Sequence, residues 1–237
     1  MRGQRGKVAF FSQRGSALLV VTAVALLLFS CGLPTSDYLY PPAHFLSPSS
    51  NIVRLIHDTS NIDYSDIAAL FKGYEIYYRV FDSETDANIS YNYLYNNLTS
   101  SNISTVASSK GYYVLVKYND SSAPLIPVSD NSYDYFDLNL NASSRWTITS
   151  EVGSTTTTLS SVFRDKDDST TTTSSDADFY VSGQYSSDDH DYEGDGVSSG
   201  SSVYIVFFAV SYGVSSSLND FYSEPIVLEP ITYTPGS

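Results

Sequence analysis

The hydrophobic positions of this chain change period along its length, and each period predicts a different element. Residues 73–81, GYEIYYRVF, alternate, with Tyr74, Ile76, Tyr78 and Val80 on one side and Glu75, Tyr77, Arg79 and Phe81 on the other. A period of two is that of a half-buried strand. The alternation returns at 112–118 through Tyr112, Val114 and Val116, at 133–140 through Phe136, Leu138 and Leu140, and at 146–152, where Trp146 faces the same way as Ile148. Turn-forming stretches separate these runs, as an antiparallel meander requires. Residues 203–210, VYIVFFAV, have no polar face, which predicts a strand at the centre of a sheet covered on both sides. The prolines of FYSEPIVLEP, 221–230, suit an edge strand.

Weaker patterns fill the intervals. Ile52, Val53, Leu55 and Ile56 predict a first strand, followed by a helical turn at 65–71 that Gly73 ends. Ile89, Tyr93 and Leu94 predict a short helix near 90–98, opposed by Asn and Ser, which compete for backbone hydrogen bonds. Two four-threonine tracts, 155–158 and 170–173, flank VFRDKDD at 162–168. They read either as an irregular hairpin with a charged tip or as a disordered loop. DFYV, 178–181, begins another strand. Trp146, the sole tryptophan, reads as a core anchor, with a ligand-stacking platform as the alternative.

GYEIYYRVF, then VYIVFFAVSYG and YSEPIVLEP, resemble the middle strand and last two strands of fibronectin type III-like modules. That resemblance implies a mostly β, antiparallel β-sandwich of the fibronectin type III/immunoglobulin kind. The first apolar strand lacks the core tryptophan typical of the family, and 122 residues separate Phe81 from Val203, more than a whole module of about 100. The expectation is therefore one elaborated sandwich over 45–233 with a large β-rich insertion at about 82–200, then a tail at 234–237.

What precedes the sandwich is of another kind. Arg2, Arg5, Lys7 and Arg14 lead into the uncharged run 17–29, which ends at Ser30 and Cys31, the only cysteine. A basic start, a short apolar run and a small residue mark an export signal, and 13 positions are fewer than the roughly 20 of a spanning helix. Leu28, Phe29, Ser30 and Cys31, followed by Gly32, resemble the lipobox of bacterial lipoproteins, of the loose kind found in spirochaetes. The resemblance implies a signal peptide at 1–30, cleavage before Cys31, a lipid on its thiol, and a short tether through residue 44. Gly32, where an aspartate in enteric lipoproteins signals inner-membrane retention, leans towards an outer membrane.

Charge narrows the partners. Without 1–30 the chain keeps 8 basic against 26 acidic side chains, a net charge of −18. Such a field disfavours nucleic acid and anionic headgroups and suits cations or a basic partner. With no cysteine pair, stability must come from apolar burial, which 21 Tyr and 12 Phe supply.

The candidate chemistry lies at 186–200, SSDDHDYEGDGVSSG. Asp189, Asp191, Glu193 and Asp195 recur at every second position around Gly194, resembling the first half of an EF-hand-like calcium loop, whose hard oxygen ligands surround a glycine turn. Gly200 stands where the bidentate glutamate would be; a solvated acidic loop is the other reading. His190, His44 and His57 show no paired spacing. There is no Gly-x-Ser-x-Gly elbow, phosphate-binding glycine loop or His-Glu-x-x-His. The functional expectation is a non-enzymatic, lipid-anchored envelope protein that binds a protein or glycan. A periplasm-facing structural lipoprotein is the alternative, and a carbohydrate-active hydrolase a third.

Overall fold

A computed structural model gives the fold for residues 38–42, 44–46, 51–117, 124–128, 134–152, 155–166 and 176–236. In chain order the elements are β1 His44–Leu46, β2 Ile52–Ile56, the single turns α1 Ser60–Asp63 and α2 Ser65–Ala68, β3 Phe71–Phe81, α3 Glu84–Asn97 and α4 Ile103–Lys110. There follow β4 Tyr113–Val114, β5 Val116–Lys117, β6 Ile126–Pro127, β7 Tyr135–Asn139, β8 Trp146–Val152, β9 Thr155–Asp165 and β10 Asp176–Ala177. The chain closes with β11 Tyr192–Glu193, β12 Val203–Val214, β13 Asp220–Tyr222, β14 Ile226–Val227 and β15 Ile231–Tyr233.

Pairing sorts these strands into two sheets in a sandwich-like arrangement with no closed barrel. One runs β1-β2-β7-β8-β9-β10, with β5 also on β9. The other runs β11-β3-β12-β13, with β14 and β15 also on β12, and β4 and β6 also on β3. Among the described strand pairs only β11 with β3 is parallel. Between the sheets, Tyr74, Ile76, Tyr78 and Val80 of β3 and Val203, Ile205, Phe207 and Ala209 of β12 meet Val53, Leu55, Phe136, Leu138, Ile148 and Val162. Each such aliphatic or phenyl side chain contributes about 1.5–3 kcal/mol by leaving water. Trp146 is wholly buried and stacks on Phe179 with ring centroids 3.7 Å apart; its environment is that of a core anchor.

The expectation of a half-buried β3 is corrected. Its second face, Tyr77 and Phe81, joins Val206, Phe208 and Val210 of β12 under Ala87, Leu94, Ile103, Val106 and Ala107 of α3 and α4. Residues 82–111 thus form a helical layer, longer than the one short helix predicted and including α4, which the pattern missed. The asparagines do not oppose α3: Asn88, Asn92 and Asn96 donate their side-chain amides to the carbonyls of Glu84, Asn88 and Asn92, four residues back.

Other expectations also change. The strand at 112–118 breaks at Leu115, so that β4 pairs with β3 and β5 with β9. The chain changes sheets there because Leu115 is buried and its N–H donates to the Ile76 carbonyl at 2.8 Å. Gly73 ends no helical turn; it lies inside β3 at φ +143°, where a Cβ would meet the Ile126 carbonyl oxygen at 2.0 Å. Residues 178–181 form no regular strand but lead through a turn into a 3-10 turn at Ser182–Gln184. β9 and β10 pair antiparallel, but Val162 to Asp165, expected in a charged tip, are the end of strand β9, and 167–175, with the second threonine tract, lie outside the described residues. So do Leu28, Phe29, Ser30, Cys31 and Gly32.

The folded unit begins earlier than the predicted tether allows. It starts at Tyr38, and Leu39 is wholly buried. Residues 38–42 therefore belong to the body.

Candidate functional site

The acidic loop has an internal partner. Arg164 of β9 is fully buried. Its Nε and Nη2 donate to the two carboxylate oxygens of Asp191 at 2.9 and 2.6 Å, and Nη2 also donates to Asp189 at 3.0 Å. Nη1 donates to the Gln184 carbonyl, and the guanidinium lies 4.0 Å from the centroid of the Tyr185 ring. Tyr78 donates its hydroxyl to Asp191 at 2.7 Å. Burial works against the Arg164 charge, but Asp191 outweighs it and raises the pKa above its ordinary value. The cluster is a clasp that holds the loop against β3 and β9.

The calcium reading placed Asp189, Asp191, Glu193 and Asp195 around one ion, and the structure disperses them. Asp189 and Asp191 turn inward onto Arg164, Glu193 pairs with Arg79 at 2.8 Å, and Asp195 is exposed with its backbone N–H on Asp82. The four carboxylates do not converge, and two of them are paired with the Arg164 guanidinium. No group of three or more His, Cys, Asp or Glu able to hold a metal occurs among the described residues. His190 is exposed, and His57 is buried with Nδ1 on the Tyr74 hydroxyl; burial lowers the His57 pKa. Arg164 was missed as a site residue because it lies in the segment read as a charged tip. The signal for its burial was a lone arginine directly after Val162 and Phe163.

A groove does open on the helical side, where α3 passes the start of β12. Ser83 caps α3, its Oγ accepting from the Asp86 N–H at 3.3 Å. Burial of Ala87 and Leu94 against the sheet orients the helix, so that Glu84, Asn88, Tyr91 and Asn92, spaced i, i+4, i+7 and i+8, line one wall. Tyr204 of β12 and its register partner Thr232 of β15, with Glu229 and Pro230, form the other. The groove is about 400 Å³, within the range of small-ligand sites.

Its chemistry is that of an acceptor surface. Two carboxylates face it, while Asn88 and Asn92 each commit an amide N–H to the helix and retain their Oδ1 acceptors. Tyr91 lies beside Tyr95 with ring centroids 5.9 Å apart; burial, then Glu229, raises the Tyr91 pKa, so it stays a neutral donor with an aromatic face. A ligand offering hydroxyl or ammonium donors fits this lining. None of these groove residues was read from the sequence as a site residue, because the groove combines elements more than a hundred residues apart.

No family model matches the chain, and neither a curated protein nor a solved structure matches it. Among the described residues no helix is long and apolar enough to cross a membrane.

Proposed function

We propose that this is a non-enzymatic, lipid-anchored protein of a bacterial cell envelope, held by acyl chains on Cys31, whose elaborated fibronectin type III-like sandwich carries a binding site for a glycan or protein. The outer membrane is the proposed location. The observation that carries the binding reading is the groove between α3 and the β12–β15 pair, with Glu84 and Glu229 beside Tyr91 and Tyr204. Acceptor-rich walls with aromatic faces suit sugar hydroxyls or the basic side chains of a protein. The net charge of the exported chain favours the second of these, a basic partner.

The test joins both halves. Intact mass of the membrane-extracted protein reads acylation of Cys31, with Cys31→Ala as the unanchored control. The same acylated protein, wild type and Tyr91→Ala/Glu229→Ala, is then screened on vesicles against glycan arrays and basic envelope proteins. Binding at least tenfold weaker in the double variant supports the groove. Equal binding moves the site elsewhere, and an unacylated chain removes the anchor.

A further inference from the structure

Among the described residues, the exposed large hydrophobic side chains fall in two groups, one on α3 and one at an end of the sandwich. They are Tyr38, Tyr64, Ile89, Tyr93, Tyr95, Val128 and Leu218. Four of the seven lie at the end of the sandwich where β12 finishes and β3 begins. Leu218 sits in the turn between β12 and β13, 84% exposed. Val128 follows Pro127, which pairs with Gly73 near the start of β3. Tyr64 joins α1 to α2, just before β3, and stacks on Tyr40, whose other neighbour is Tyr38. Tyr40 is tied to this end by its carbonyl, which accepts from the Ser211 hydroxyl of β12 at 2.6 Å. Leu39 lies 3.0 Å from where a Cβ on Gly213 would stand.

Leu218 is the telling member. Its backbone is left-handed, φ 62°, a conformation that glycine or asparagine adopts far more readily. A leucine there is unfavourable for the turn and unfavourable in water. Its side chain has a use only if something apolar covers it.

Chain length says what that is. Cys31 to Asp37 is seven residues, a span of at most about 25 Å whatever its conformation. The folded body is thus entered through Tyr38, within that reach of the acylated cysteine, at the same end that carries Leu218. Tyrosine rings settle at the boundary of headgroup and acyl chain, the hydroxyl in the wet layer and the ring below it. Asp63 and Asp66 beside Tyr64 make a zwitterionic surface a better match than an anionic one.

We infer that the end bearing Tyr38, Tyr64, Val128 and Leu218 lies against the bilayer that holds the Cys31 acyl chains, so that β12 stands outward and presents the α3 groove away from the membrane. The inference rests on the lipid-anchor reading. β12 is the measure of the separation: Tyr204, in the groove, and Gly213, against Leu39, are nine residues apart, or about 30 Å along a strand. The body is docked and oriented, not swinging on a tether.

The experiment places a thiol at either end of the full acylated protein, whose own cysteine sulfur is blocked by lipid. Asn219→Cys, next to Leu218, and Ser201→Cys, just before β12, are exposed positions. Each is labelled with an environment-sensitive fluorophore on phosphatidylcholine vesicles containing nitroxide-labelled phosphatidylcholine. At least twofold stronger quenching at 219 than at 201 is the expected result. Equal or reversed quenching in protein whose mass shows the acyl chains overturns the inference and leaves the anchor standing. A mass without acyl chains overturns the anchor reading and this inference with it.

Discussion

Asn61 holds the backbone of Tyr40 at both its polar groups. The Tyr40 N–H donates to Asn61 Oδ1 at 2.8 Å, and Asn61 Nδ2 donates to the Tyr40 carbonyl at 2.8 Å. A further donation reaches the Ser211 hydroxyl at 3.3 Å, and Asn61 has no exposed surface. One amide therefore joins the incoming chain to α1 and to β12.

Asn61→Ala leaves the partly buried Tyr40 N–H without its partner, a loss of about 1 kcal/mol. Chemical denaturation of the purified protein should show that destabilisation. Amide hydrogen exchange at 38–40, before Pro41 and Pro42, should rise more than in β3, since these residues lose their attachment first. Unchanged protection there would mean that Leu39 alone secures the segment.

The Arg164 clasp makes a larger prediction. Arg164→Met strands Asp189 and Asp191 as buried charges, with an expected loss of about 3–5 kcal/mol. Adding Asp189→Asn and Asp191→Asn should recover much of it, because a neutral cluster needs no counter-charge. A chelator such as EGTA should leave the wild-type melting temperature unchanged. A clear drop would show that calcium reaches the loop despite the guanidinium.

Glu75 gives the fold a pH dependence. It is buried on β3 and accepts from the Tyr77 hydroxyl at 2.8 Å; burial raises its pKa from 4.5 to about 7. The folded state therefore keeps this proton where the unfolded chain has lost it. Stability is unaffected below 4.5, falls as pH rises from 4.5 to 7, and is lower by about 3 kcal/mol above that. Glu75→Gln should be more stable than wild type by up to this amount at pH 8 and equal to it at pH 4. Urea denaturation at the two values checks this, and the difference between the proteins separates Glu75 from His57, whose lowered pKa destabilises the fold as pH falls.

At Leu218, glycine relieves a left-handed backbone that costs a side-chain-bearing residue about 1–2 kcal/mol and adds chain entropy to the unfolded state of about 0.5–1 kcal/mol. Thermal melting of Leu218→Gly should therefore give an unchanged or slightly higher midpoint. A midpoint lower by several degrees would assign the leucine to the fold instead of to a surface.

Much of the sandwich was legible because strand faces are local. Alternation in 133–140 and 146–152 returned as β7 and β8, and the unbroken run at 203–210 returned as the doubly covered β12. The helical layer was harder to see, since α3 buries only Ala87 and Leu94 and shows little apolar stripe. The acidic loop was legible only in part: spacing located its carboxylates but not the arginine, more than twenty residues earlier, that pairs with two of them.

By itself, the sequence determined what each stretch does to its immediate surroundings: which strands bury one face or two, and how strongly acidic residues outnumber basic ones. Tertiary structure alone decided that Arg164 faces Asp191, that α3 closes a groove with β12, and that Tyr38, Tyr64, Val128 and Leu218 share one end. Periodicity is set by neighbours along the chain. Charge pairing and shared surfaces depend on which distant strands lie side by side, and that is settled only when the sheets pack.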